Sequence, residues 1–378
     1  MSDGLSEQIF FIIFACVVLL FLAYEAIRWI LKILFKKNLS PDIIERHLFK
    51  RYHQNPTLSP IMHLDWQAEG TCNPAAYMDD TGKVHIIYRA VGNDGISRLG
   101  YAASPDGFVF EDRTPYPVFS MQNPARYGEP REKTFNPLLY PSGGSWGGCE
   151  DPRMVAIDDR IYVSFSVFGG WNFVRLAVTS IKKEDFLAKK WDWTPPMFLS
   201  PAGEINKNWV LFPEKINGKF AILHSISPKP QIDYVERLES LDNGAQKIKS
   251  QFGQKVPRDT WDTWVRGVGP APVKTEKGWL VLYHATSKEE PHKYKVGAML
   301  LDLNDPTQII ARSPSALLLP DKWYENDWKP GIVYVCGAVI KDEQLLVYYG
   351  GGDKHICVAE TNLENLLSWL QNHGVENL

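Results

Sequence analysis

Two adjacent carboxylates and an arginine lie together in one glycine-rich segment of the chain. The segment reads Gly147-Gly-Cys-Glu-Asp-Pro-Arg153, and its proline fixes the backbone directly before a predicted strand. One interpretation is a turn that contains an ion pair between Asp151 and Arg153. The other is acid–base chemistry, because a carboxyl group in a cleft beside a like charge can keep its proton near neutral pH, as a general acid must. The segment alone leaves both interpretations open.

A second group of polar side chains has the mixture of donors and acceptors that suits sugar hydroxyls. It offers an amide, two guanidinium groups and a carboxylate, from Asn73, Arg89, Arg98 and Asp94. An ordinary hairpin whose turn is Asn93-Asp-Gly95 is the alternative interpretation. Five tryptophans are candidate platforms for a sugar ring, although a place in the core or at its rim is the commoner role: Trp146, Trp171, Trp209, Trp264 and Trp328.

Five short alternating strands are predicted to position these groups. Each follows a turn signal and ends on an aromatic residue or histidine plus one further residue. They are Gly82–Arg89, Arg160–Ser166, Gly218–Ser225, Gly278–His284 and Glu343–Gly350. A unit that recurs every 60 to 75 residues or so, roughly a blade's length, is typical of a radial β architecture. We therefore expect an all-β, five-bladed β-propeller in which the five strand ends lie close together, with a β-sandwich as the alternative. The stretch Leu363–His373 predicts a short closing helix.

The composition narrows the range of partners and sites. With a formal net charge of −3, the chain gives no reason to expect a nucleic-acid partner. Its five cysteines are odd in number and scattered, without any Cys-x-x-Cys pair. That pattern favours a reducing compartment over a disulfide framework or a zinc site, so we expect no metal.

The N-terminal segment differs in kind from the rest of the chain. Ile9 to Tyr24 is an unbroken apolar run, and the amphipathic turn after it extends the stretch toward the thickness of a bilayer. A secretory signal peptide is the alternative, but positive charge would precede its apolar run and small residues would follow. We expect a single-pass membrane helix in the lipid bilayer at 1–37, a linker with a short helix at 38–60, and the catalytic propeller at 61–378. The basic residues from Arg28 onward all follow the run, which places the propeller in the cytoplasm.

Six segments in collinear order resemble glycoside hydrolase family 130, which contains β-mannoside phosphorylases and β-1,2-mannosidases on a five-bladed propeller. The segments are Asn73-Pro-Ala, Tyr88-Arg-Ala with Asp94-Gly-x-Ser-Arg-Leu-Gly-Tyr-Ala, Gly148-x-Glu-Asp-Pro-Arg153, Leu211-Phe-Pro-Glu-Lys-Ile-Asn-Gly218, Gly278-Trp-Leu-Val-Leu-Tyr-His284 and Tyr349-Gly-Gly-Gly-Asp353. The resemblance extends from about Asn55 to Leu367 and leaves out the apolar N-terminal run.

The resemblance implies roles for the polar residues. Asp151 would be the catalytic acid, acting through a hydroxyl of the mannosyl ring that relays the proton to the glycosidic oxygen, with inversion of the anomeric centre. The implied sugar-binding residues are Asn73, Arg89, Asp94, Arg98, Arg153 and Asp353. The implied substrate is a β-mannoside oligosaccharide or glycan, no cofactor is implied, and association into a homo-oligomer stays open.

Phosphorolysis and hydrolysis need different groups opposite the acid. Phosphate requires cationic donors and no facing carboxylate, whereas water requires a carboxylate base. At four positions where phosphorylases of the family carry basic side chains, this chain has Lys207, Ser225, Val265 (with Arg266 beside it) and His284. Lys207, Arg266 and His284 are therefore the candidate phosphate-binding residues, with inorganic phosphate as co-substrate. We expect a phosphorylase that releases α-mannose 1-phosphate, and an inverting β-mannosidase is the alternative.

Two functions of other classes also deserve comparison. A non-catalytic carbohydrate-binding protein would need the sugar-binding residues but no acid, and the complete motif around Asp151 argues against it. A membrane-associated mannosyltransferase would need a nucleotide-diphosphate site. The sequence contains neither Asp-x-Asp nor a glycine-rich phosphate loop, which argues against that function too.

Overall fold

A computed structural model describes residues 48–121, 145–170, 173–250 and 260–375. Within these ranges the chain is mostly β-structure. The strands are β1 (Lys50–Arg51), β2 (Gly70–Met78), β3 (Val84–Val91), β4 (Ile96–Ser104), β5 (Asp112–Arg113), β6 (Gly147–Ile157), β7 (Arg160–Phe168), β8 (Val174–Lys182), β9 (Met197–Phe198), β10 (Val210–Leu211), β11 (Phe220–Ser225), β12 (Gln231–Val235), β13 (Trp264–Val268), β14 (Val273–Thr275), β15 (Gly278–Thr286), β16 (Lys295–Leu301), β17 (Ile309–Arg312), β18 (Val333–Lys341), β19 (Gln344–Gly351) and β20 (His355–Asn362). The helices are α1 (Lys183–Leu187), α2 (Glu239–Asp242) and α3 (Leu363–His373), with 3-10 turns at Asp65–Gln67 and Trp323–Glu325.

The five predicted repeat strands are all present. They are β3, β7, β11, β15 and β19, and each is paired with antiparallel strands on both sides, so it is the centre of a group. The turns that lead into them use positive φ angles, such as 82° at Gly82 and 76° at Gly218. Glycine adopts this region without steric cost, which is why it marks the start of these strands in the sequence.

The sheet topology corrects the prediction of a five-bladed β-propeller. The described strands form four hydrogen-bonded sheets, with three, four, five and eight strands. The eight-stranded sheet arises because β4 and β6 pair in parallel, Ile96 with Gly147 and Ser97 with Gly148. This pairing unites two of the five antiparallel groups, so the five repeat strands do not define five separate sheets.

Apolar side chains fill the space between neighbouring groups of strands. Ile87, Tyr101 and Val163 pack in one buried cluster between the groups of β3 and β7. In another cluster Leu282 and Val347 pack together with residues of α3. Burying such a side chain contributes about 1.5 to 3 kcal/mol. The strands are thereby held rigidly enough to fix the polar residues at their ends.

The predicted closing helix is confirmed as α3. Asn362 caps its start, because the Asn362 side chain accepts a hydrogen bond of 3.0 Å from the backbone N–H of Asn365. Four side chains of one face are buried: Leu366, Leu367, Trp369 and Leu370.

The structure corrects the prediction of a membrane protein. Among the described residues no helix is both long and apolar enough to cross a bilayer, and α3, with 11 residues, is far below the required length. The segment 1–37 and the short helix expected after Ser40 lie outside the described residues. The predicted lipid partner, single-pass topology and cytoplasmic catalytic domain are therefore withdrawn.

The first and last strands of the described chain lie side by side. β1 pairs antiparallel with β20, Lys50 opposite Glu360 and Arg51 opposite Ala359. Arg51 Nε donates to Glu325 Oε1 over 2.7 Å. Glu325 is fully buried and also accepts from the Tyr349 hydroxyl at 2.9 Å. Residues that the sequence assigned to a linker thus contribute to the four-stranded sheet.

Candidate active site

Four groups of strands contain a β-bulge. In each group the bulge lies in a strand that comes earlier in the chain than the repeat strand and pairs with it. The register breaks at Cys72/Ala75 in β2, Glu150/Arg153 in β6, Val265/Gly267 in β13 and Val335/Gly337 in β18. A bulge releases a residue from the ladder and re-aims its side chain. In β2 and β6 the released residues are Asn73 and Asp151, with φ angles of 50° and 51°, and proline follows each. The two Asx-Pro pairs are therefore equivalent features of neighbouring groups.

Asp151 is buried between an amide and two arginines. Asn73 Nδ2 donates to Asp151 Oδ1 over 2.7 Å, and Arg89 Nη1 lies 3.4 Å from the same oxygen. Arg153 Nη1 donates to the Asp151 backbone carbonyl at 2.5 Å. Four residues that the sequence singled out from distant segments are thus in direct contact.

The surroundings of Asp151 favour its ionised form. Burial alone would raise the pKa of this carboxyl group. The positive charges of Arg89, Arg153 and Lys207 outweigh burial, and the hydrogen bond from Asn73 adds to them, so the pKa lies below its ordinary value. The sequence-based expectation that a like charge keeps Asp151 protonated does not hold in this structure, because the nearest charges are positive.

Glu150 is a site residue to which the sequence analysis assigned no role. Its carboxylate is fully buried and accepts from Arg89 Nη2 at 2.9 Å and from the Ser145 hydroxyl at 2.7 Å. Its second oxygen accepts from Lys207 Nζ at 3.1 Å. Glu150 therefore binds two of the cations whose charges act on its neighbour Asp151. The signal available in the sequence was the carboxylate directly before the candidate acid.

Arg153 is occupied by protein acceptors. Its Nε donates to the Gly269 carbonyl at 3.0 Å, and its Nη2 donates to Asn208 Oδ1 at 3.0 Å. Asn208 Oδ1 also accepts from the Tyr334 hydroxyl at 2.8 Å. Arg153 thus links the Asp151 bulge to residues of other groups. Asn208 and Tyr334 were absent from the sequence-based candidates, because nothing in their local sequence indicated this contact.

His284 lies at the end of β15 and is completely buried. Its ring stacks on that of Tyr334, with centroids 3.9 Å apart and planes inclined by 8°. Within the described residues, neither ring nitrogen has a hydrogen-bond partner. Burial, together with the positive charge of Arg153, lowers the pKa of His284 to about 3, so the imidazole is neutral at physiological pH. A neutral imidazole can still donate one N–H to an anion.

The other two candidate phosphate-binding residues also approach this region. Lys207 reaches Glu150, as described, and its charge acts on Asp151. Arg266 is the residue released by the bulge of β13, and its guanidinium lies 5.3 Å from the ring centroid of Tyr294. Ser225 differs from these residues, because its hydroxyl donates to the Ser227 carbonyl at 3.0 Å.

Asp353 is a second carboxylate near Asp151 and is partly buried. It follows Gly350-Gly-Gly with a φ angle of 55°, and its Oδ2 lies 3.6 Å from Lys329 Nζ. Burial raises the pKa of Asp353 and the charge of Asp151 adds to this, although Lys329 and Arg89 oppose it. Gly350 leaves room for the site, since a side chain there would approach Asn73 Oδ1 to 2.0 Å.

Asp94 lies in the turn between β3 and β4 and Arg98 lies at the start of β4, and Arg98 Nη2 pairs with Asp94 Oδ2 at 2.6 Å. In the described ranges, no hydrogen bond or ion pair joins this pair to Asp151. Of the tryptophans, Trp209 is fully buried and belongs to the core, whereas Trp146, Trp264 and Trp328 are half-buried. Trp171 lies outside the described residues.

Acidic, histidine and cysteine side chains are not grouped for metal binding in the part of the chain that the structure describes, where no cluster of three or more could hold an ion. The four described cysteines are buried and free. Burial raises the pKa of Cys336, which the bulge of β18 releases near the site, to about 12. This thiol is therefore protonated and is not a nucleophile.

Comparison with known proteins places this geometry in a family. Residues 49–372 match the sequence model of glycoside hydrolase family 130, described as β-1,4-mannooligosaccharide phosphorylase. The 1,2-β-oligomannan phosphorylase of Thermoanaerobacter sp. (strain X514) is 33% identical over 84% of this chain and 98% of its own. The β-1,2-mannobiose phosphorylase of the same organism is 31% identical over the same shares.

Solved structures give the same result. A glycosyl hydrolase from Bacteroides ovatus is 25% identical, with a TM-score of 0.64 over 84% of this chain and 94% of its own. A structure reported among glycoside hydrolases that target β-1,2-mannosidic linkages in Candida mannan is 26% identical, with a TM-score of 0.63 over the same shares. The resemblance found in the six sequence segments is thereby confirmed, and this chain belongs to glycoside hydrolase family 130.

Proposed function

We infer that this protein is an inverting phosphorylase that cleaves β-mannosides with inorganic phosphate and releases α-mannose 1-phosphate. The observation that carries this inference is the cationic environment of Asp151, formed by Arg89, Arg153 and Lys207. Such a set of donors suits a phosphate dianion. The nearest carboxylate, Glu150, is engaged through both oxygens and is not placed to activate water. The relatives that match over most of the chain are phosphorylases.

The reaction exchanges one bond for another at the anomeric carbon. A phosphate oxygen attacks from the face opposite the leaving group, the glycosidic C–O bond breaks, and the leaving oxygen receives a proton. Asp151 supplies that proton through a hydroxyl of the mannosyl ring. Asn73 and Arg89 hold the Asp151 carboxyl group, and together with Asp353 they line the sugar side of the site. Lys207, Arg266 and His284 provide the phosphate side.

Phosphate binding also explains how Asp151 becomes an acid. In the structure the positive charges around Asp151 lower its pKa. A bound phosphate dianion draws on the same cations and adds a negative charge nearby, and both effects raise the pKa of the carboxyl group. Proton donation is thereby linked to the presence of the nucleophile.

We propose β-1,2-linked mannosides as the substrate, because the two relatives that cover most of this chain act on β-1,2-oligomannan and β-1,2-mannobiose. The purified full-length protein should be incubated with β-1,2-mannobiose or β-1,4-mannobiose, each with and without phosphate. Phosphorus NMR should detect α-mannose 1-phosphate only when phosphate and the β-1,2 substrate are both present. Equal release of free mannose without phosphate would establish the mannosidase alternative, for which the similarity to the hydrolases of Candida mannan is the supporting observation.

The acid is tested with the Asp151→Asn variant. Its Oδ1 still accepts from Asn73, so the fold should survive, while loss of the proton donor should lower kcat by about 10² to 10⁴-fold. Asp112→Asn is a matched control, because Asp112 is half-buried and its partners within the described ranges are Lys83 and Lys189. Full activity in Asp151→Asn would remove the acid assignment, whichever nucleophile the first experiment finds.

A further inference from the structure

Tyr334 contacts the phosphate side of the site in two different ways. Its ring stacks on His284, and its hydroxyl donates to Asn208 Oδ1 at 2.8 Å. Tyr334 itself is buried, in β18, a strand of another sheet than β15. The stack on His284 therefore connects the four-stranded sheet with the five-stranded sheet at the place where phosphate is expected, and the hydrogen bond to Asn208 reaches the segment before β10.

The Asn208 side chain links Tyr334 to the segment that contains Arg266. Asn208 Nδ2 donates to the backbone carbonyl of Arg266 at 2.9 Å, while Oδ1 accepts from Arg153 as well as from Tyr334. The approach is close, since a side chain at Gly267 would come within 2.7 Å of Asn208 Nδ2. Asn208 has a φ angle of 63°, a conformation that asparagine tolerates better than most residues. The position of the Arg266 backbone thus depends on an amide that Tyr334 and Arg153 hold in place.

The orientation of the His284 ring depends mainly on its packing. The backbone of Val335 favours the protonated form of the ring, but neither ring nitrogen reaches a described protein group with the geometry of a hydrogen bond. A parallel stack with a ring separation of 3.9 Å restricts the imidazole to one plane. Loss of the Tyr334 ring would let the imidazole rotate, and a rotating donor binds an anion less tightly because its ordering then costs entropy.

We propose that Tyr334 is a positioning residue for phosphate binding: its ring orients His284, and its hydroxyl, through Asn208, orients the Arg266 segment. The proposal rests on the phosphorylase function inferred above. It assigns Tyr334 no contact with the reacting atoms. The two contacts are separable by substitution, because Tyr334→Phe keeps the stack and loses only the hydroxyl, whereas Tyr334→Leu loses both.

Steady-state kinetics with phosphate and β-1,2-mannobiose varied in turn test the proposal. For Tyr334→Phe we expect the KM for phosphate to rise about five- to tenfold, the effect of one lost hydrogen bond to a buried acceptor. For Tyr334→Leu we expect a further rise. In both variants the KM for mannobiose at saturating phosphate should stay within about twofold of the wild-type value, since general loosening of the site would raise both KM values together.

Tyr348→Phe is the matched control. Tyr348 is another fully buried tyrosine whose hydroxyl donates to a protein acceptor, the Gly107 carbonyl at 2.9 Å, but that contact lies in a separate core cluster. Its phosphate KM should not change. The proposal is overturned if Tyr334→Phe leaves the phosphate KM at the wild-type value, or if both variants raise the two KM values equally.

Failure of the phosphorylase function would be visible separately, in the wild-type protein. If wild-type activity does not depend on phosphate, the phosphorylase inference falls and the proposed role of Tyr334 falls with it. If wild-type activity depends on phosphate and the variants bind it normally, only the role of Tyr334 is wrong. Should Tyr334→Leu not fold, Tyr334→Phe still decides, because it preserves the packed ring.

Discussion

The carboxyl group of Asp151 is buried and that of Asp353 is partly buried, and their pKa values are displaced in opposite directions. Positive charges prevail over burial at Asp151, whereas burial prevails at Asp353. Pairs of acids whose pKa values are shifted apart by their surroundings are typical of catalytic sites. Before phosphate binds, Asp353 therefore holds a proton more readily than Asp151 does. Asp151 can hold a proton more readily than Asp353 only when a bound substrate changes the charge near Asp151.

His284 gives a prediction at the residue scale, for stability at low pH. The pKa of His284 is about 3 in the folded protein, below its ordinary value of 6.5, so the unfolded chain takes up a proton first as the pH falls. The stabilisation due to the neutral ring is fully present above pH 6.5 and is lost toward pH 3, by about 1 kcal/mol per pH unit. Urea unfolding should show a shallower loss of stability on acidification for His284→Gln than for the wild type.

The exposed His63 provides the control for this measurement. His63→Gln should reproduce the wild-type slope, because the His63 side chain is exposed in the folded protein as it is in the unfolded chain. Equal slopes for the wild type and His284→Gln would contradict the account of a buried, neutral His284.

At the scale of elements, the bulged strands place the functional side chains in one site. Asn73, Asp151 and Arg266 each leave the ladder in a strand that pairs with a repeat strand, β3, β7 and β15 respectively. Two of these repeat strands also contribute a site residue, Arg89 from β3 and His284 from β15. The chain therefore builds its site from one recurring strand pair, used in different groups with different side chains.

Local pattern explains which of these features could be predicted from the sequence. Alternation and turn glycines predict the repeat strands. The sequence also singles out Arg89 and Asp151, but their contact follows from the bulge of β6 and not from a local pattern. The parallel pairing of β4 with β6 has no local signal, because it depends on a backbone approach between Ser97 and Gly148. Asn208 and Tyr334 were missed for the same reason: their importance lies in partners that are 126 residues apart.

Gly148 gives a prediction at the scale of elements. Its φ angle is 107°, and a Cβ atom there would lie 2.1 Å from the Ser97 carbonyl oxygen. Gly148→Ala should therefore force β4 and β6 apart and lower the free energy of unfolding by at least about 3 kcal/mol. Urea unfolding measures the change, and activity should fall with it because the bulge of β6 carries Asp151.

The control for Gly148→Ala is Gly244→Ala. Gly244 also has a positive φ angle, 76°, but nothing lies within 4 Å of the added atom. Gly244→Ala should lower the free energy of unfolding only by the conformational cost, about 1 kcal/mol. Similar losses for the two variants would mean that the close approach of β4 and β6 does not matter.

At the scale of the whole molecule, β1 joins the start of the described chain to its end. The sequence analysis assigned residues 38–60 to a linker, because a strand of two residues has no periodicity to detect. The structure shows instead that Arg51 extends from β1 to the buried Glu325. A charged pair that crosses 274 residues of sequence is a tertiary feature, and no local pattern predicts it.

Arg51→Met tests that closure. The substitution keeps much of the side-chain volume but leaves a buried carboxylate without its partner, which typically costs about 3 to 5 kcal/mol. Lys50→Met is the control, because Lys50 is 82% exposed and its pairing with Glu360 should be worth less than about 1 kcal/mol. Thermal and urea unfolding should separate the two variants, and Arg51→Met/Glu325→Gln should recover part of the loss. Equal stability of Arg51→Met and wild type would show that Glu325 needs no charge partner.

The pairing of β1 with β20 also bears on how the protein is made. Roughly 300 residues separate the two strands, and at about 5 to 20 residues per second the ribosome delivers β20 about 15 to 60 s after β1. Throughout that interval the nascent chain carries a strand whose partner does not yet exist. Neighbouring nascent chains on the same messenger expose the same edge, and strand exchange between them competes with correct closure. The four-stranded sheet is therefore completed only after β20 has been synthesised.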